Sequence, residues 1–194
     1  MNFINNFFQN FNKSLNSLNK KNLIESIEIL RKLRKKNGRL FIIGVGGSAG
    51  NASHAVNDFR KLCDIDAYTP VDNISEITAK TNDEGFDTIF DTYLKLSKIN
   101  RNDVLMVFSV GGGNIKKKVS VNLIKAIKFA KNKKSKVISI IGRSDGYAYK
   151  NSDVRIFVDI DNKKLVTPIS ETFQVLLWHL FVSHPRLQIN KTKW

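Results

Sequence analysis

The feature that most constrains this chain is a pair of glycine-rich turns, each placed directly after a short apolar segment and before a helical pattern. The first segment is Arg39–Ile43, followed by the turn at residues 44–47, and the second is residues 103–109, followed by the turn at 111–113. Short apolar segments that alternate with helices predict a parallel sheet covered by helices on both faces. In such a sheet, turns at the carboxyl ends of the strands meet at one edge, where ligands bind.

The remaining apolar spacing completes an α/β fold, with a three-layer α/β/α arrangement around the parallel sheet. We predict helices at residues 2–19, 22–36, 48–62, 74–81, 86–98, 120–132 and 170–183, strands at 39–43, 65–70, 103–109, 136–141 and 154–158, and a loop at 142–148. The length of 194 residues fits one domain, residues 1–194, in which residues 1–37 form two N-terminal helices. The first helix is rich in Phe, so it either forms an oligomer interface or packs on its own domain.

Charge and cysteine content narrow the function classes. The chain has a formal net charge of +15, but its lysines are scattered and not interleaved with aromatic residues, which argues against a nucleic-acid surface. No apolar run approaches the ~20 residues of a membrane span, and the N-terminus lacks the apolar stretch of a signal peptide. The single cysteine, Cys63, cannot form an internal disulfide, so we expect a reducing, cytoplasmic environment.

The first turn reads GVGGS over residues 44–48 and opens a predicted helix. Glycines allow a tight turn and close approach to an anion, and the free N–H groups at a helix start favour phosphate. The same residues also fit the dinucleotide fingerprint, with Asp64 or Asp66 as the ribose acid. The second glycine-rich turn, SVGGGN over residues 109–114, favours a compact phosphorylated ligand over a dinucleotide.

Two pairs of titratable residues lie on predicted helices. His54 and Asp58 are four residues apart and share a helix face. Glu171 and His179 are two turns apart on the last helix, where they flank apolar residues. Each residue alone would most simply be a packing or helix-end residue, but two imidazoles and two carboxylates together form a set that zinc accepts. His184 precedes a proline and is interpreted as a helix terminator.

Taken in chain order, these motifs resemble the sugar isomerase (SIS) domain family, and within it the sedoheptulose-7-phosphate isomerases, also called phosphoheptose isomerases. The resemblance covers nearly the whole chain. It is carried by GVGGSA at residues 44–49, His54, Asp58, TNDEGF at residues 81–86, the loop after Ser109 and the helix that holds Glu171 and His179.

The resemblance implies a flavodoxin-like sheet, a homotetramer with the site between subunits, and one zinc ion per site. It also implies isomerisation of sedoheptulose 7-phosphate to D-glycero-D-manno-heptose 7-phosphate for bacterial surface polysaccharides. Carried over residue by residue, the metal positions are His54, Asp58, Glu171 and His179, and the catalytic ones are Asp58, Glu171 and His179. The substrate and phosphate positions are Gly46, Gly47, Ser48, Asp83, Ser109, Gly111 and Ser120.

Four positions depart from the family pattern. Val45 stands where the family usually has Asn, Asp58 where it has the Glu that acts as base, and Glu171 where it has Gln. The second loop lacks the usual Ser/Thr-rich run and carries three lysines at residues 116–118. Since Lys also binds phosphate, these changes indicate a variant subfamily whose exact substrate is open.

The expected reaction needs a base, an acid and stabilisation of an enediolate. We expect Asp58 or Glu171 to remove the proton and His179 to act from the opposite side, near the zinc. Four other functions remain open: a non-catalytic phosphosugar-binding or replication-initiator-associated protein, an isomerase of another phosphosugar, a dinucleotide-dependent oxidoreductase, and nucleic-acid binding through the basic surface.

Overall fold

The structure is a computed structural model that describes residues 1–192. The strands are β1 (Arg39–Ile43), β2 (Asp66–Tyr68), β3 (Val104–Ser109), β4 (Lys136–Ile141) and β5 (Val154–Phe157). The helices are α1 (Asn2–Ser17), α2 (Lys20–Lys35), α3 (Gly47–Cys63), α4 (Ile74–Glu84), α5 (Ile89–Leu96), α6 (Val121–Asn132), α7 (Tyr147–Asn151) and α8 (Val166–Val182).

All five strands form one parallel sheet in the order β2-β1-β3-β4-β5. This is the flavodoxin-like doubly wound order, so the predicted α/β fold is confirmed. The chain winds outward in opposite directions from β1 and β3, which makes the gap between them the topological switch point. The glycine-rich turns follow these two strands, so the fold brings both turns to the place where such sheets bind ligands.

Alternate residues of the central strands enter two separate cores, one on each face of the sheet. In β1, Leu40 and Ile42 lie in the core beneath α2, α3 and α8, whereas Phe41 and Ile43 lie in the core beneath α5, α6 and α7. This division follows from the two-residue period of a strand. The sheet is therefore covered on both faces, as the continuous apolar strands predicted.

Most element boundaries differ from the sequence prediction by a few residues, and two of the differences have a clear physical reason. Helix α8 begins at Val166 rather than at residue 170, because Pro168 lies in the first turn, where a missing N–H leaves no helical hydrogen bond unmade. Strand β2 ends at Tyr68, before Pro70 begins a 3-10 turn. The earlier start of α8 moves Glu171 from the helix start into its second turn.

Helix α8 and the turn before it form the segment Lys163–Val182, which is long and apolar enough to cross a membrane. This corrects the expectation that no stretch approaches that length. Half of its most apolar window is buried, however, and Phe173, Leu177 and Phe181 lie in the core against the sheet. The segment has the character of a core helix of a globular fold.

The two sides of the Phe-rich helix α1 have different surroundings. Phe7 and Phe11 pack against the domain, with the Phe11 ring 4.8 Å from that of Phe173. Phe3 and Phe8 point away from it and are 71% and 59% exposed. One side of α1 therefore belongs to the core, and the other side leaves an apolar surface in a single protomer.

Cys63 ends helix α3 and is fully buried. Its Sγ lies 3.8 Å from the carbonyl oxygen of Val182 in α8. Burial raises the pKa of the Cys63 thiol to about 12, so the thiol stays protonated in the folded chain.

Candidate active site

The first turn is shaped for close approach of a ligand to the start of α3. A Cβ on Gly44 would lie 2.3 Å from the carbonyl oxygen of Ser48, so only glycine fits there. Gly46 has a φ of +64° and precedes the helix without a side-chain cap. The N–H groups of Ala49 and Gly50 bond to the carbonyl of Gly46, which leaves those of Gly47 and Ser48 at the start of α3, and anion binding there stays a prediction.

Ser48, a predicted substrate residue, is turned toward the interior. It is 2% exposed, and its Oγ accepts a hydrogen bond of 3.0 Å from Gln174 Nε2. Gln174 in turn accepts one of 2.9 Å from Asn51 Nδ2. These bonds tie α3 to α8, and the substrate role of Ser48 stays a prediction.

Three of the four predicted metal residues meet where α3 crosses α8. His54 Nε2 lies 3.5 Å from Asp58 Oδ2, and His179 Nε2 lies 3.6 Å from the same oxygen. One ligand atom from each of the three residues lies within 4.8 Å of the others. The histidines are about half exposed and the carboxylate is largely buried, so the group faces solvent from its imidazole side.

The tautomer of His179 follows from its second nitrogen. His179 Nδ1 lies 2.9 Å from the backbone carbonyl oxygen of Val175. Because a carbonyl can only accept, Nδ1 carries a proton, and Nε2 is the ring nitrogen that faces Asp58. This is the arrangement in which a histidine binds a metal or accepts a proton.

Two polar neighbours hold Asp58, and the sequence alone predicts neither. Trp178 Nε1 donates a hydrogen bond of 3.0 Å to Asp58 Oδ2, and Asn57 Nδ2 donates one of 3.1 Å to Oδ1. Trp178 is itself fixed, since it is 1% exposed and stacks on Phe108. Helical spacing places Trp178 next to His179 but gives no sign that its indole N–H reaches α3.

Glu171, the fourth predicted metal residue, lies at a different place in the site. Its carboxylate packs against Gly47, where a Cβ would meet the Glu171 oxygens at 2.5 and 2.6 Å. Eight residues of helix separate Glu171 from His179, which is about 12 Å along the axis. The described residues thus bring together His54, Asp58 and His179, with Glu171 beside the first turn instead.

A groove of about 670 Å³ connects these two places along α8. Glu171 and His179 line it together with Gly47 of the first turn. Phe11 of the Phe-rich helix also reaches this groove. A ligand lying in it would contact the start of α3 at one end and His179 at the other.

The second turn is braced by helix α7, whose first two residues lie in the loop predicted at 142–148. The carbonyls of Gly112 and Gly113 accept hydrogen bonds of 2.8 Å from the N–H groups of Ala148 and Tyr147. Such a short helix is set by this distant contact, which local sequence does not encode. The bracing fixes the turn that carries Ser109 and Gly111.

The remaining predicted substrate residues occupy different surroundings. Ser109 is buried, and its Oγ accepts a hydrogen bond of 2.9 Å from Gly112 N–H. Ser120 stands directly before α6 with a φ of +50° and no side-chain capping bond. Asp83 is exposed near the end of α4, where it accepts a hydrogen bond from Asn82. Their roles stay predictions.

Comparison with known proteins identifies the family. Residues 6–142 match the family model described as SIS domain. The chain belongs to the SIS domain family. Among related SIS proteins, lincomycin biosynthesis protein LmbN of Streptomyces lincolnensis is 32% identical over 154 residues, 76% of this chain and 56% of LmbN. The phosphoheptose isomerase of Helicobacter pylori (strain 26695) is 29% identical over 173 residues, 87% of this chain and 84% of that protein.

Solved structures agree with this SIS fold. The phosphoheptose isomerase of Neisseria gonorrhoeae matches with a TM-score of 0.78 over 93% of both chains, at 23% sequence identity. The resemblance predicted from the motifs is therefore confirmed at the level of family and fold.

Proposed function

We propose that this SIS protein is a phosphosugar aldose–ketose isomerase that converts sedoheptulose 7-phosphate to D-glycero-D-manno-heptose 7-phosphate for bacterial surface polysaccharide synthesis. The observation that carries the proposal is the carboxylate of Asp58 with two imidazoles within 3.6 Å, on the helix that begins at the first glycine-rich turn. The strand ends suit a phosphate, and the carboxylate with its histidines suits proton transfer.

The reaction moves a carbonyl from C2 to C1. A base removes a proton from C1, the resulting enediolate is stabilised, and a proton is delivered to C2 while the hydroxyl proton passes between the oxygens. Asp58 can act as base because each of its oxygens is oriented by a donor, Trp178 or Asn57, and keeps a further lone pair. Glu171 is the alternative base, and His179 Nε2 is placed to exchange the second proton.

The donor set fits zinc. Two imidazole nitrogens and one carboxylate oxygen, converging within 4.8 Å at a partly exposed place, match catalytic zinc sites that keep an open position. His54, Asp58 and His179 would hold the ion, and Glu171 is the further predicted ligand. Because Nε2 of His179 cannot bind the ion and exchange a proton at once, His179 would transfer the second proton only when the other residues hold the ion. A bound zinc ion would polarise the sugar oxygens and stabilise the enediolate charge.

We further propose that residues 1–194 act as one cytoplasmic SIS domain that assembles into a homotetramer through residues 1–37. The exposed side of α1, with Phe3 and Phe8, supports this assembly. Light scattering of the purified chain measures its mass in solution directly.

The first experiment is turnover of sedoheptulose 7-phosphate by the purified, zinc-loaded chain. We expect the heptose 7-phosphate to form, and titration with reduced nicotinamide cofactor to show no saturable binding. A regulatory binder would hold the phosphosugar without turnover, and an oxidoreductase would bind the cofactor. Either result would contradict the proposed isomerase.

Metal binding can be followed without activity, because Trp178 adjoins the cluster. The ring of Trp178 lies 5.3 Å from that of His54 and 5.0 Å from that of His179. The chain has two tryptophans, so Trp194→Phe leaves Trp178 as the sole indole reporter. We expect cobalt(II) to quench its fluorescence saturably, with affinity at least ~10-fold weaker after His54→Ala.

The matched control for this titration is His184→Ala. His184 is the third histidine of the chain and accepts a hydrogen bond from Arg186 N–H, away from Asp58. We expect this variant to bind cobalt as the parent does. Equal affinity in the His54 and His184 variants would show that the cluster does not hold the ion.

A further inference from the structure

A hairpin at residues 114–119 projects from the second glycine-rich turn, between β3 and α6. The backbone groups of Asn114 and Val119 exchange two hydrogen bonds of 2.9 and 3.1 Å. Asn114 Oδ1 also accepts a hydrogen bond of 3.0 Å from Lys117 N–H, which fixes the tip. The hairpin is thus held in a defined shape at the carboxyl edge of the sheet, where the proposed substrate binds.

The tip of the hairpin carries three exposed lysines, Lys116, Lys117 and Lys118. Within residues 1–192, none of their ammonium groups makes a hydrogen bond or ion pair. The nearby carboxylate of Asp145 already accepts two hydrogen bonds from Arg143, at 3.0 and 3.1 Å. These bonds, with a smaller contribution from the charge of Lys117, lower the pKa of Asp145. The lysine charges are therefore left for a ligand.

The neutral groups at the base of the hairpin are partly used by the fold itself. Ser109 Oγ accepts from Gly112 N–H, and the carbonyl of Gly112 caps α7. A Cβ on Gly111 would meet nothing within 4 Å, so the space over the turn is open. A phosphate monoester placed there carries about −1.5 to −2 charges at neutral pH and binds lysine as a point charge.

We propose that Lys116, Lys117 and Lys118 supply the positive charge that binds the substrate phosphate over Gly111 and the start of α6. This inference rests on the proposed phosphosugar function. Phosphate recognition in this chain would then depend on lysine charge, because the second loop has few hydroxyl groups. Binding is then weakened by salt, because exposed charges are screened.

The test measures binding of sedoheptulose 7-phosphate and of inorganic phosphate by calorimetry, from about 0.05 to 0.15 M salt. A triple variant that removes the three hairpin charges is compared with two controls. One control keeps the charges at the same three positions, and the other removes three lysine charges at the opposite end of α6. The variants are Lys116→Gln/Lys117→Gln/Lys118→Gln, Lys116→Arg/Lys117→Arg/Lys118→Arg and Lys131→Gln/Lys133→Gln/Lys134→Gln. The first and third lose the same charge, so only its position differs. Thermal unfolding checks that each variant is folded.

We expect the hairpin Gln variant to bind the phosphosugar about tenfold or more weakly and to lose most of its salt dependence. The hairpin Arg variant and the α6 variant should bind as the parent does. If the hairpin and α6 Gln variants lost the same affinity, the effect would come from net charge and not from the hairpin, and the inference would be overturned. Parent turnover with an unchanged hairpin Gln variant would overturn the inference alone, whereas a parent that binds neither probe would overturn the proposed function as well.

Discussion

Replacing Asp58 by Asn is expected to lower kcat for the phosphosugar by about 10²- to 10⁴-fold, the range that a positioned acid or base supplies. Asn has the shape of Asp but cannot accept the substrate proton. It also removes the negative charge that lies 3.5 and 3.6 Å from the two imidazoles. Steady-state kinetics at saturating substrate measures the loss.

The matched control is Asp64→Asn, which makes the same change directly after the same helix. Asp64 has a left-handed backbone with a φ of +51°, a conformation that Asn adopts readily, and it is exposed. We expect this variant to keep the kcat of the parent. Parent-like turnover in the Asp58 variant would assign the base role to another residue, with Glu171 the first candidate.

The second large effect is expected from Gly47→Ala, which tests Glu171 without replacing it. The added methyl group would lie 2.5 Å from Glu171 Oε2, so the carboxylate has to move. Because a flexible side-chain end can move at little cost, we expect nearly unchanged stability. We expect kcat to fall by ~10²-fold, since a catalytic group displaced by about 1 Å loses that much.

Gly50→Ala is the control on the same helix. A Cβ at Gly50 meets nothing within 4 Å, so the methyl group displaces no neighbour. We expect unchanged kcat and a gain in the free energy of unfolding of ~0.5–1 kcal/mol, since Ala favours a helix over Gly. If Gly47→Ala also retained full activity, the position of the Glu171 carboxylate would not matter for the reaction.

Features that repeat along the chain were predictable from sequence. The alternation of apolar segments and helices specified the parallel sheet, and the glycines after β1 and β3 were placed correctly at its carboxyl edge. His54 and Asp58 were paired correctly because four residues of helix fix their relation regardless of the rest of the fold.

Contacts between elements were not predictable in the same way. Trp178 donates a hydrogen bond to Asp58, and Gln174 donates one to Ser48. Both bonds depend on the position along the helix axes at which α8 crosses α3. Glu171 and His179 share a helix, yet the same crossing sends one to Gly47 and the other to Asp58. Periodicity gives the face of a helix and says nothing about which residues of a neighbouring helix it meets.

The crossing of α3 and α8 has a consequence for how this fold can change its role. The glycine-rich turns, which we propose bind phosphate, lie at the sheet edge, whereas His54 and His179 stand on helix surfaces and are 58% and 48% exposed. Substitutions at such exposed positions usually change stability by less than about 0.5 kcal/mol. A chain of this architecture can therefore lose or regain catalytic activity through a few surface substitutions and still bind the phosphosugar. An isomerase and a non-catalytic phosphosugar-binding protein of this fold then differ by few substitutions, none of which requires a change in the core.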